Sequence, residues 1–295
     1  MLKLHTGDTI GIASPSHLAE KETYEEIFAK IREMGLNVKP AQNLYARGWG
    51  YSATDRERAD DLNALIRDPE VKMIFFGGGE GADEVIPLID YDSAKANPKI
   101  WLTYSDGTSI LNAVHSRTGQ TVLYGQAPKR LLEDTPYNRE MFNAFVFGGG
   151  MKKHVPATKW RTIRPGKARG ELTGGYLDNY VYLALSGWIQ PEAGKEYVLF
   201  LEDHEKFFGI EHVSDLLGRL SRAPIMKQVR GVLFGNYSDE DKPYLDQRLA
   251  RLGEKWNIPV AACNDYGHGK YAAILPIGET AELDAANGTL EYPNI

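Results

Sequence analysis

The sequence predicts a two-domain α/β protein, with a parallel-sheet domain in residues 1–150 followed by a linker and a smaller mixed-sheet or barrel-like domain in residues 151–295. Three observations predict this class. In the first half, short apolar runs alternate with longer amphipathic segments, which is typical of strand–helix–strand units. Small polar or glycine-rich turns follow two of the apolar runs. A segment rich in glycine, proline and basic residues, 148–175, then precedes a region where strands and turns are more mixed.

The first domain consists of repeated strand and helix segments, as a parallel sheet requires. Apolar runs predict strands at Thr9–Ala13, 36–39, Val71–Phe76 and 100–104. Amphipathic spacing predicts helices at 21–34, Asp55–Arg67 and 82–89, and one more that begins after Ser105. In the helix at Asp55–Arg67, the residues Ala59, Leu62 and Ile66 recur at helical spacing, and Asp68 and Pro69 end it.

The second domain is predicted from shorter signals. Apolar runs indicate strands at 197–201, 231–234, Val260–Ala262 and 272–275. Helical spacing indicates helices at 213–222 and 244–256. Because turns interrupt these elements more often than in the first half, we expect a mixed sheet.

Composition excludes several classes of protein. The 295 residues carry a net charge of −6 and are 42% hydrophobic, which favours packed cores and argues against a nucleic-acid partner. No apolar stretch is long enough to span a membrane, and the first residues lack a signal-peptide pattern, so we expect a cytoplasmic protein with no membrane partner. Cys263 is the single cysteine, which excludes an internal disulfide and a cysteine-based metal cluster.

Ser105 lies where a predicted strand ends and a helix begins. A serine at such a turn can expose its hydroxyl at the sheet edge, and the unpaired N–H groups of the helix start can stabilise an oxyanion. The alternative is that Ser105 or Asp106 only caps the helix. The sequence Tyr-Ser-Asp recurs at 237–239, where Ser238 is followed by charged residues and indicates a solvated loop.

A run of glycines, 77–81, follows the strand Val71–Phe76. Such a turn lets the backbone approach a ligand or an oxyanion, although a simple tight connection is the alternative. The glycines match neither the dinucleotide-binding pattern nor a phosphate-binding Gly-Lys-Ser/Thr loop, so the sequence does not favour a nucleotide cofactor.

His268 and Glu202 are the candidates for general base and orienting acid. His268 lies between two glycines ahead of an apolar strand, so its ring could reach a cleft; a surface histidine on a turn is the alternative. Glu202 ends an apolar strand, where a buried carboxylate is costly unless it is paired, whereas a solvated strand end would cost nothing. His204 and His212 could bind a metal with Glu202, Asp203 or Glu205, but no standard ligand spacing is present.

Taken together, these segments resemble the serine peptidase family that contains the LD-carboxypeptidases and the microcin C immunity hydrolases. The resemblance covers most of the chain, and its specificity lies in the order and spacing of the motifs. These are GDTIGIASPS at 7–16, RADDL at 58–62, the glycine turn with LIDYD at 88–92, PKI at 98–100, YSD at 104–106, LFLED at 199–203, GHG at 267–269 and LPIG at 275–278.

The resemblance implies a Ser105–His268–Glu202 catalytic triad, with Asp106 and a Gly78 or Gly79 amide forming the oxyanion hole. It also implies a flavodoxin-like first domain, a homodimer, and no metal or organic cofactor. The usual member cuts the bond between an L-centre and a terminal D-alanine in muropeptides, and a sister group inactivates peptidyl-adenylate antibiotics. A small peptide is therefore the expected substrate.

This chain departs from the family pattern at three positions. The family usually has glycine at Thr103, a branched apolar residue at Gly107, and asparagine at Tyr176. We expect these departures to affect the substrate more than the type of reaction. A non-catalytic alternative remains: the basic stretch 152–169 could bind the carboxylate of a small acidic peptide, unless its charges are simply solvated.

Overall fold

The computed structural model describes residues 1–133, 135–204, 209–235 and 242–295. The predicted solvated loop around Ser238 lies outside the described residues. The chain divides into two compact units of almost equal length, Met1–Gly150 and Met151–Ile295. No described helix is long and apolar enough to cross a membrane.

The first unit is a parallel sheet with helices between its strands. Its strands are β1 (Thr9–Ala13), β2 (Asn37–Pro40), β3 (Val71–Phe76), β4 (Ile100–Thr103) and β5 (Val122–Tyr124). Its helices are α1 (Lys21–Glu33), α2 (Asp55–Arg67), α3 (Ala82–Val85), α4 (Tyr91–Ala96), α5 (Thr108–Thr118) and α6 (Pro136–Phe142). The strand order β5-β4-β3-β1-β2, with all neighbours parallel, is the flavodoxin-like order, so that expectation is confirmed.

Local sequence explains where these elements begin and end. The Thr54 hydroxyl accepts from the Glu57 N–H, and the Glu57 carboxylate accepts from the Thr54 N–H, so α2 starts with a capping box. β3 is apolar on both faces and almost fully buried, as expected for a central strand of a parallel sheet covered by helices. Because β3 and β4 are parallel neighbours, the loops that follow them lie at the same edge of the sheet.

The second unit contains a mixed sheet that forms a half-barrel. The strands of this unit are β6 (Arg161–Arg164), β7 (Lys167–Tyr176), β8 (Tyr197–Glu202), β9 (Val229–Phe234), β10 (Val260–Ala262), β11 (Leu275–Ile277), β12 (Thr280–Asp284) and β13 (Thr289–Glu291), and all of them except β11 belong to the mixed sheet. Its helices are α7 (Leu177–Ser186), α8 (Ile210–Leu220) and α9 (Lys242–Trp256). The sheet order is β13-β12-β7-β8-β9-β10-β6, with β7 to β10 parallel and the flanking strands antiparallel.

Two expectations for this unit need correction, and one helix was not predicted. The segment 148–175, read as a linker because of its glycines and basic residues, contains β6 and most of β7, which pairs with β8 in the middle of the sheet. The composition of this segment does not indicate a strand, and pairing with the neighbouring strands stabilises β7. The strand predicted at 272–275 instead covers Leu275–Ile277, and the helix Leu177–Ser186 was missed. The unit is slightly shorter than the first, in the expected direction.

The core of the second unit lies between the sheet and its three helices. On α8, Val213, Leu216, Leu217 and Leu220 recur at helical spacing and are buried. They pack in one cluster with residues of β8, β9, α7 and α9. This core holds the carboxyl end of β8, where Glu202 lies, in a fixed position.

Candidate active site

Ser105 lies in a sharp turn between β4 and α5. Its backbone has a φ of +58°, in the left-handed region that residues other than glycine seldom adopt. Its N–H donates to the Tyr124 hydroxyl at 3.1 Å, which ties the turn to the end of β5. The residue that immediately precedes α5 is Gly107, so neither Ser105 nor Asp106 is the N-cap of this helix. A strained residue at a strand-to-helix turn is a backbone geometry typical of a nucleophile elbow.

The glycine loop 77–81 passes directly beside Ser105. A Cβ atom on Gly78 would lie 2.5 Å from the Ser105 Cβ and 3.1 Å from its Oγ, so only glycine allows this approach. Gly79 has a φ of +153°, and a Cβ atom there would lie 1.9 Å from the Ser16 carbonyl oxygen. The structure therefore brings Gly78 next to Ser105 and Gly79 against Ser16, and the loop is more than a tight connection.

Asp106 connects the Ser105 turn with the glycine loop. Its buried carboxylate accepts from the Ala82 N–H at 2.8 Å, just after the last glycine of the loop. The side chain of Asp106 is therefore a tether, and only its backbone N–H is a candidate for an oxyanion hole.

Arg58 holds the other side of the glycine loop. Its guanidinium is buried, donates to the carbonyl oxygens of Pro15 at 2.7 Å and Gly81 at 2.9 Å, and pairs with Glu84 at 2.6 Å. From the sequence, Arg58 was identified only as the first residue of the RADDL motif at 58–62. Its place on the inner stripe of α2, four residues before the buried Leu62, is the signal that could have indicated a buried charge.

Glu202 and His268 meet in the second unit. Glu202, at the end of β8, is fully buried, and its Oε2 lies 2.9 Å from His268 Nδ1. A carboxylate accepts the Nδ1–H, so this contact favours the imidazole tautomer whose lone pair is on Nε2. Gly267 has a φ of +92°, and a Cβ atom there would lie 2.6 Å from Glu202 Oε2. The glycine beside His268 therefore makes room for the carboxylate, and neither residue is a solvated surface group.

Two further residues contact this pair. The ring of Tyr176, at the end of β7, lies edge-on to the His268 ring with 5.3 Å between centroids. Asp203 follows Glu202 and is fully buried. Burial raises the pKa of Asp203 to about 7, and the neighbouring Glu202 carboxylate adds to this rise. Hydrogen bonds from the His204 N–H and the Tyr176 hydroxyl act in the opposite direction and lower the pKa. Tyr176, one of the departures from the family pattern, therefore packs against His268. The sequence indicated Asp203 only as a possible metal ligand, and its place beside Glu202 and His268 was not predicted.

The loop that carries His268 is anchored by Asp265. This fully buried carboxylate accepts from His154 Nε2 at 2.9 Å, from the Thr158 N–H at 2.8 Å and from Trp160 Nε1 at 2.7 Å. These hydrogen bonds lower the pKa of Asp265, although its burial acts in the opposite direction. The segment before β6 therefore fixes the start of the 263–268 loop.

No group of three or more histidine, cysteine or acidic side chains among the described residues is arranged to hold a metal ion. His204 has its ring centroid 6.2 Å from that of His268. Glu205, one of the ligands considered from the sequence, lies outside the described residues. The basic stretch is largely engaged in ion pairs within the second unit, namely Lys153–Glu291, Arg161–Asp246, Lys167–Asp284 and Arg169–Glu282.

Comparisons with known proteins agree with this architecture. Residues 10–125 match the family described as the LD-carboxypeptidase N-terminal domain, and residues 169–283 match the LD-carboxypeptidase C-terminal domain. "Putative carboxypeptidase slr1534" of Synechocystis is 30% identical, with 99% of this chain and 96% of that protein aligned. The microcin C7 self-immunity protein MccF of Escherichia coli is 25% identical over 96% of this chain and 92% of its own length.

The fold is also that of a solved relative. The crystal structure of an MccF-like protein from Bacillus anthracis superposes with a TM-score of 0.89 over 98% of both chains, at 23% identity. The fold and the family matches define a hydrolase of the serine peptidase type. The chain belongs to the LD-carboxypeptidase family.

Proposed function

We propose that this protein is an LD-carboxypeptidase that uses Ser105, His268 and Glu202 as a catalytic triad. The observation that carries the proposal is the 2.9 Å contact between His268 Nδ1 and the buried Glu202 carboxylate. A carboxylate in that position selects the imidazole tautomer that a general base needs. The strained turn at Ser105, with glycines packed against it, supports the assignment of the nucleophile.

The reaction follows from these roles. Ser105 Oγ attacks the carbonyl carbon of the scissile amide while His268 Nε2 takes the hydroxyl proton. The resulting oxyanion is stabilised by the backbone N–H of Asp106 and an N–H of the glycine loop. His268 returns the proton to the departing amine, and the C–N bond breaks. A water molecule, deprotonated by His268, then hydrolyses the acyl-enzyme ester and restores Ser105.

The proposed substrate is a cytoplasmic muropeptide, cleaved between an L-centre and its terminal D-amino acid. Purified protein should release D-alanine from a murein tetrapeptide, and Ser105→Ala should reduce kcat by about 10⁴-fold or more. A fluorophosphonate probe should label the wild type at Ser105 and leave Ser105→Ala unlabelled. Undiminished turnover by Ser105→Ala would contradict the triad.

A second candidate uses the same chemistry on a different amide. The relative MccF is named for self-immunity to microcin C7, and the chain has Tyr176 where its family usually has asparagine. An aromatic ring at this position could favour a nucleobase, but Tyr176 is only 8% exposed and packs against His268, which leaves little surface for stacking. A competition assay with a murein tetrapeptide and an aminoacyl sulfamoyl adenosine distinguishes the two candidate functions. The substrate with the higher kcat/KM is the preferred one.

A binder without catalysis is less well supported. The ion pairs made by the basic stretch leave fewer cations to recognise a peptide carboxylate. Tight peptide binding with no turnover and no probe labelling would favour the binder. We further propose that the protein acts as a homodimer without a metal or organic cofactor. Light scattering at micromolar concentration, and activity after dialysis against a chelator, test these two points.

A further inference from the structure

The glycine loop 77–81 has one end fixed by the sheet and depends on side chains at the other. It begins directly after Phe76, the last residue of β3, which lies between β4 and β1. It ends before Ala82, the first residue of α3. Four of its five residues are glycines, which have the widest backbone freedom of any residue. Contacts with neighbouring segments must therefore set the path of the loop.

Arg58 joins the end of this loop to the turn that follows β1. Its Nη1 donates to the carbonyl oxygen of Gly81 at 2.9 Å and to that of Pro15 at 2.7 Å. Its Nη2 pairs with Glu84 at 2.6 Å. The arginine side chain is 1% exposed, whereas that of Glu84 is 56% exposed. A guanidinium holds its donors in a rigid plane, so it fixes the two carbonyl groups relative to each other.

The turn that Arg58 holds also supports the middle of the glycine loop. The Glu80 N–H donates to the Ser16 carbonyl oxygen at 2.7 Å. Gly79 passes so close to the same oxygen that a Cβ atom there would lie 1.9 Å from it. Because Pro15 immediately precedes Ser16, the guanidinium fixes both segments that meet in this contact.

The loop positioned in this way meets the Ser105 turn at two places. Gly78 packs against the Ser105 side chain, since a Cβ atom on the glycine would lie 2.5 Å from the serine Cβ. One residue after the loop, the Ala82 N–H donates to the Asp106 carboxylate at 2.8 Å. A shift of the loop would therefore change the surroundings of the Ser105 hydroxyl, where donors to an oxyanion must lie.

We propose that Arg58 is a positioning residue for acyl transfer, which holds the glycine loop against the Ser105 turn through the carbonyl groups of Gly81 and Pro15. This inference rests on the proposed function, because the placement of the loop matters to the rate only if Ser105 is the nucleophile. Rates are sensitive to such placement: a misplacement of about 1 Å can cost about 100-fold. The half-exposed Glu84 carboxylate balances the charge of Arg58 and contributes little to the position of the loop.

Four substitutions separate the carbonyl contacts from the charge. Arg58→Lys keeps the positive charge, but its compact ammonium does not reproduce the planar set of donors. Arg58→Gln keeps a shorter amide donor and removes the charge. Glu84→Gln removes the ion pair and leaves both carbonyl contacts in place. Arg67→Lys is the matched control, because Arg67 lies on the same helix, is 57% exposed and pairs with Asp90.

We expect Arg58→Lys and Arg58→Gln to lower kcat by about 10- to 100-fold. KM should change less than about twofold, since the loop acts on the transition state. Glu84→Gln and Arg67→Lys should keep kcat within about threefold of wild type. The rate of fluorophosphonate labelling at Ser105 should follow kcat. Wild-type kcat in both Arg58 variants, a change confined to KM, or an equal loss in Glu84→Gln would overturn the inference.

A readout independent of activity is hydrogen–deuterium exchange of the peptide that covers 77–82. Exchange there should be faster in the two Arg58 variants and unchanged in Glu84→Gln and Arg67→Lys, whereas exchange in α5 should match wild type in all four. Unchanged exchange at 77–82, or loss of folding in both Arg58 variants, would contradict the positioning role. Absence of both turnover and probe labelling in the wild type would instead contradict the proposed function, and the exchange comparison would still decide whether Arg58 orders the loop.

Discussion

The side chain of Thr103 occupies the space that a side chain at residue 107 would need. A Cβ atom on Gly107 would lie 2.4 Å from Thr103 Cγ2 and 2.5 Å from its Oγ1. The resemblance described in the sequence analysis implies the opposite arrangement, with glycine at 103 and a branched residue at 107. The two departures near the nucleophile therefore compensate for each other in volume. Their effect on substrate preference, expected from the sequence, stays a prediction.

The compensation predicts strong coupling between the two positions. Gly107→Val alone should destabilise the protein by roughly 2 kcal/mol or more, because it overpacks a buried turn. Thr103→Gly alone should also destabilise it, because it leaves a cavity and adds backbone freedom. The double variant should recover about 1–3 kcal/mol relative to the sum of the single changes. Urea unfolding of the four proteins measures this cycle, and additive free energies would contradict direct packing.

The strained backbone of Ser105 predicts a difference between two inactive variants. Ser105→Ala keeps the left-handed conformation with its steric cost, whereas Ser105→Gly removes that cost. Part of the gain is lost because glycine has more freedom in the unfolded chain. We expect the glycine variant to be more stable than the alanine variant by roughly 0.5–1 kcal/mol, measured as the shift in urea midpoint. An alanine variant of equal or greater stability would argue against strain at this turn.

Loss of the Glu202 charge should impair catalysis more than folding. Glu202→Gln can present an amide N–H to His268 Nδ1 and so favour the wrong tautomer, which lowers kcat by about 10²–10⁴-fold with little change in KM. Steady-state kinetics on the tetrapeptide measures the effect. Glu254→Gln, on the exposed face of α9, is the matched control and should keep full activity. Comparable kinetics in both variants would remove Glu202 from the mechanism.

Asp203 should make the protein less stable as the pH rises. Its folded pKa, about 7, lies above the unfolded value of about 3.9. Between these values the unfolded chain releases a proton that the folded chain keeps, so the free energy of unfolding falls with increasing pH and levels off above pH 7. Asp203→Asn has no carboxyl to titrate at this position, so its free energy of unfolding does not fall for this reason as the pH rises. Its melting temperature should therefore rise relative to wild type between pH 4.5 and pH 8, by an amount that corresponds to on the order of 2–4 kcal/mol.

Thermal unfolding at several pH values tests the Asp203 prediction. The exposed Asp92→Asn is the control for the loss of a surface carboxylate, and it is compared with wild type at the same pH values. A difference between Asp203→Asn and wild type that does not change with pH would show that burial does not perturb the Asp203 carboxyl.

Asp265 should stabilise the second unit. Asp265→Asn leaves the donors of His154, Thr158 and Trp160 with a weaker, uncharged acceptor and should cost roughly 2–4 kcal/mol. Thr158→Val removes a single donor side chain and should cost less, about 1 kcal/mol. Because the folded pKa of Asp265 is lowered, its contribution is present above the unfolded pKa and is lost as the pH falls through the folded value. Urea unfolding at pH 7 compares the variants, and equal costs would contradict a charge-assisted anchor.

The sequence alone determined the parallel sheet of the first unit and the two loops at its carboxyl edge. Apolar runs of buried strands and amphipathic helices have distinct periods, so β1, α2 and β3 were predicted within a residue or two. The motif order identified the family. Glu202 was suspected because a carboxylate that ends an apolar strand needs a partner.

Only the tertiary structure decided which partners those residues have. β7 was not predicted because its glycines and charged residues are not typical of a strand. It is a strand in the structure because it pairs with β8 and β12. The sequence pattern does not relate the residues that pack against each other here. Thr103 fills the space beside Gly107, and His17 packs against the glycine loop. Periodicity reports which face of an element is buried, whereas the contacts across that face are set by packing.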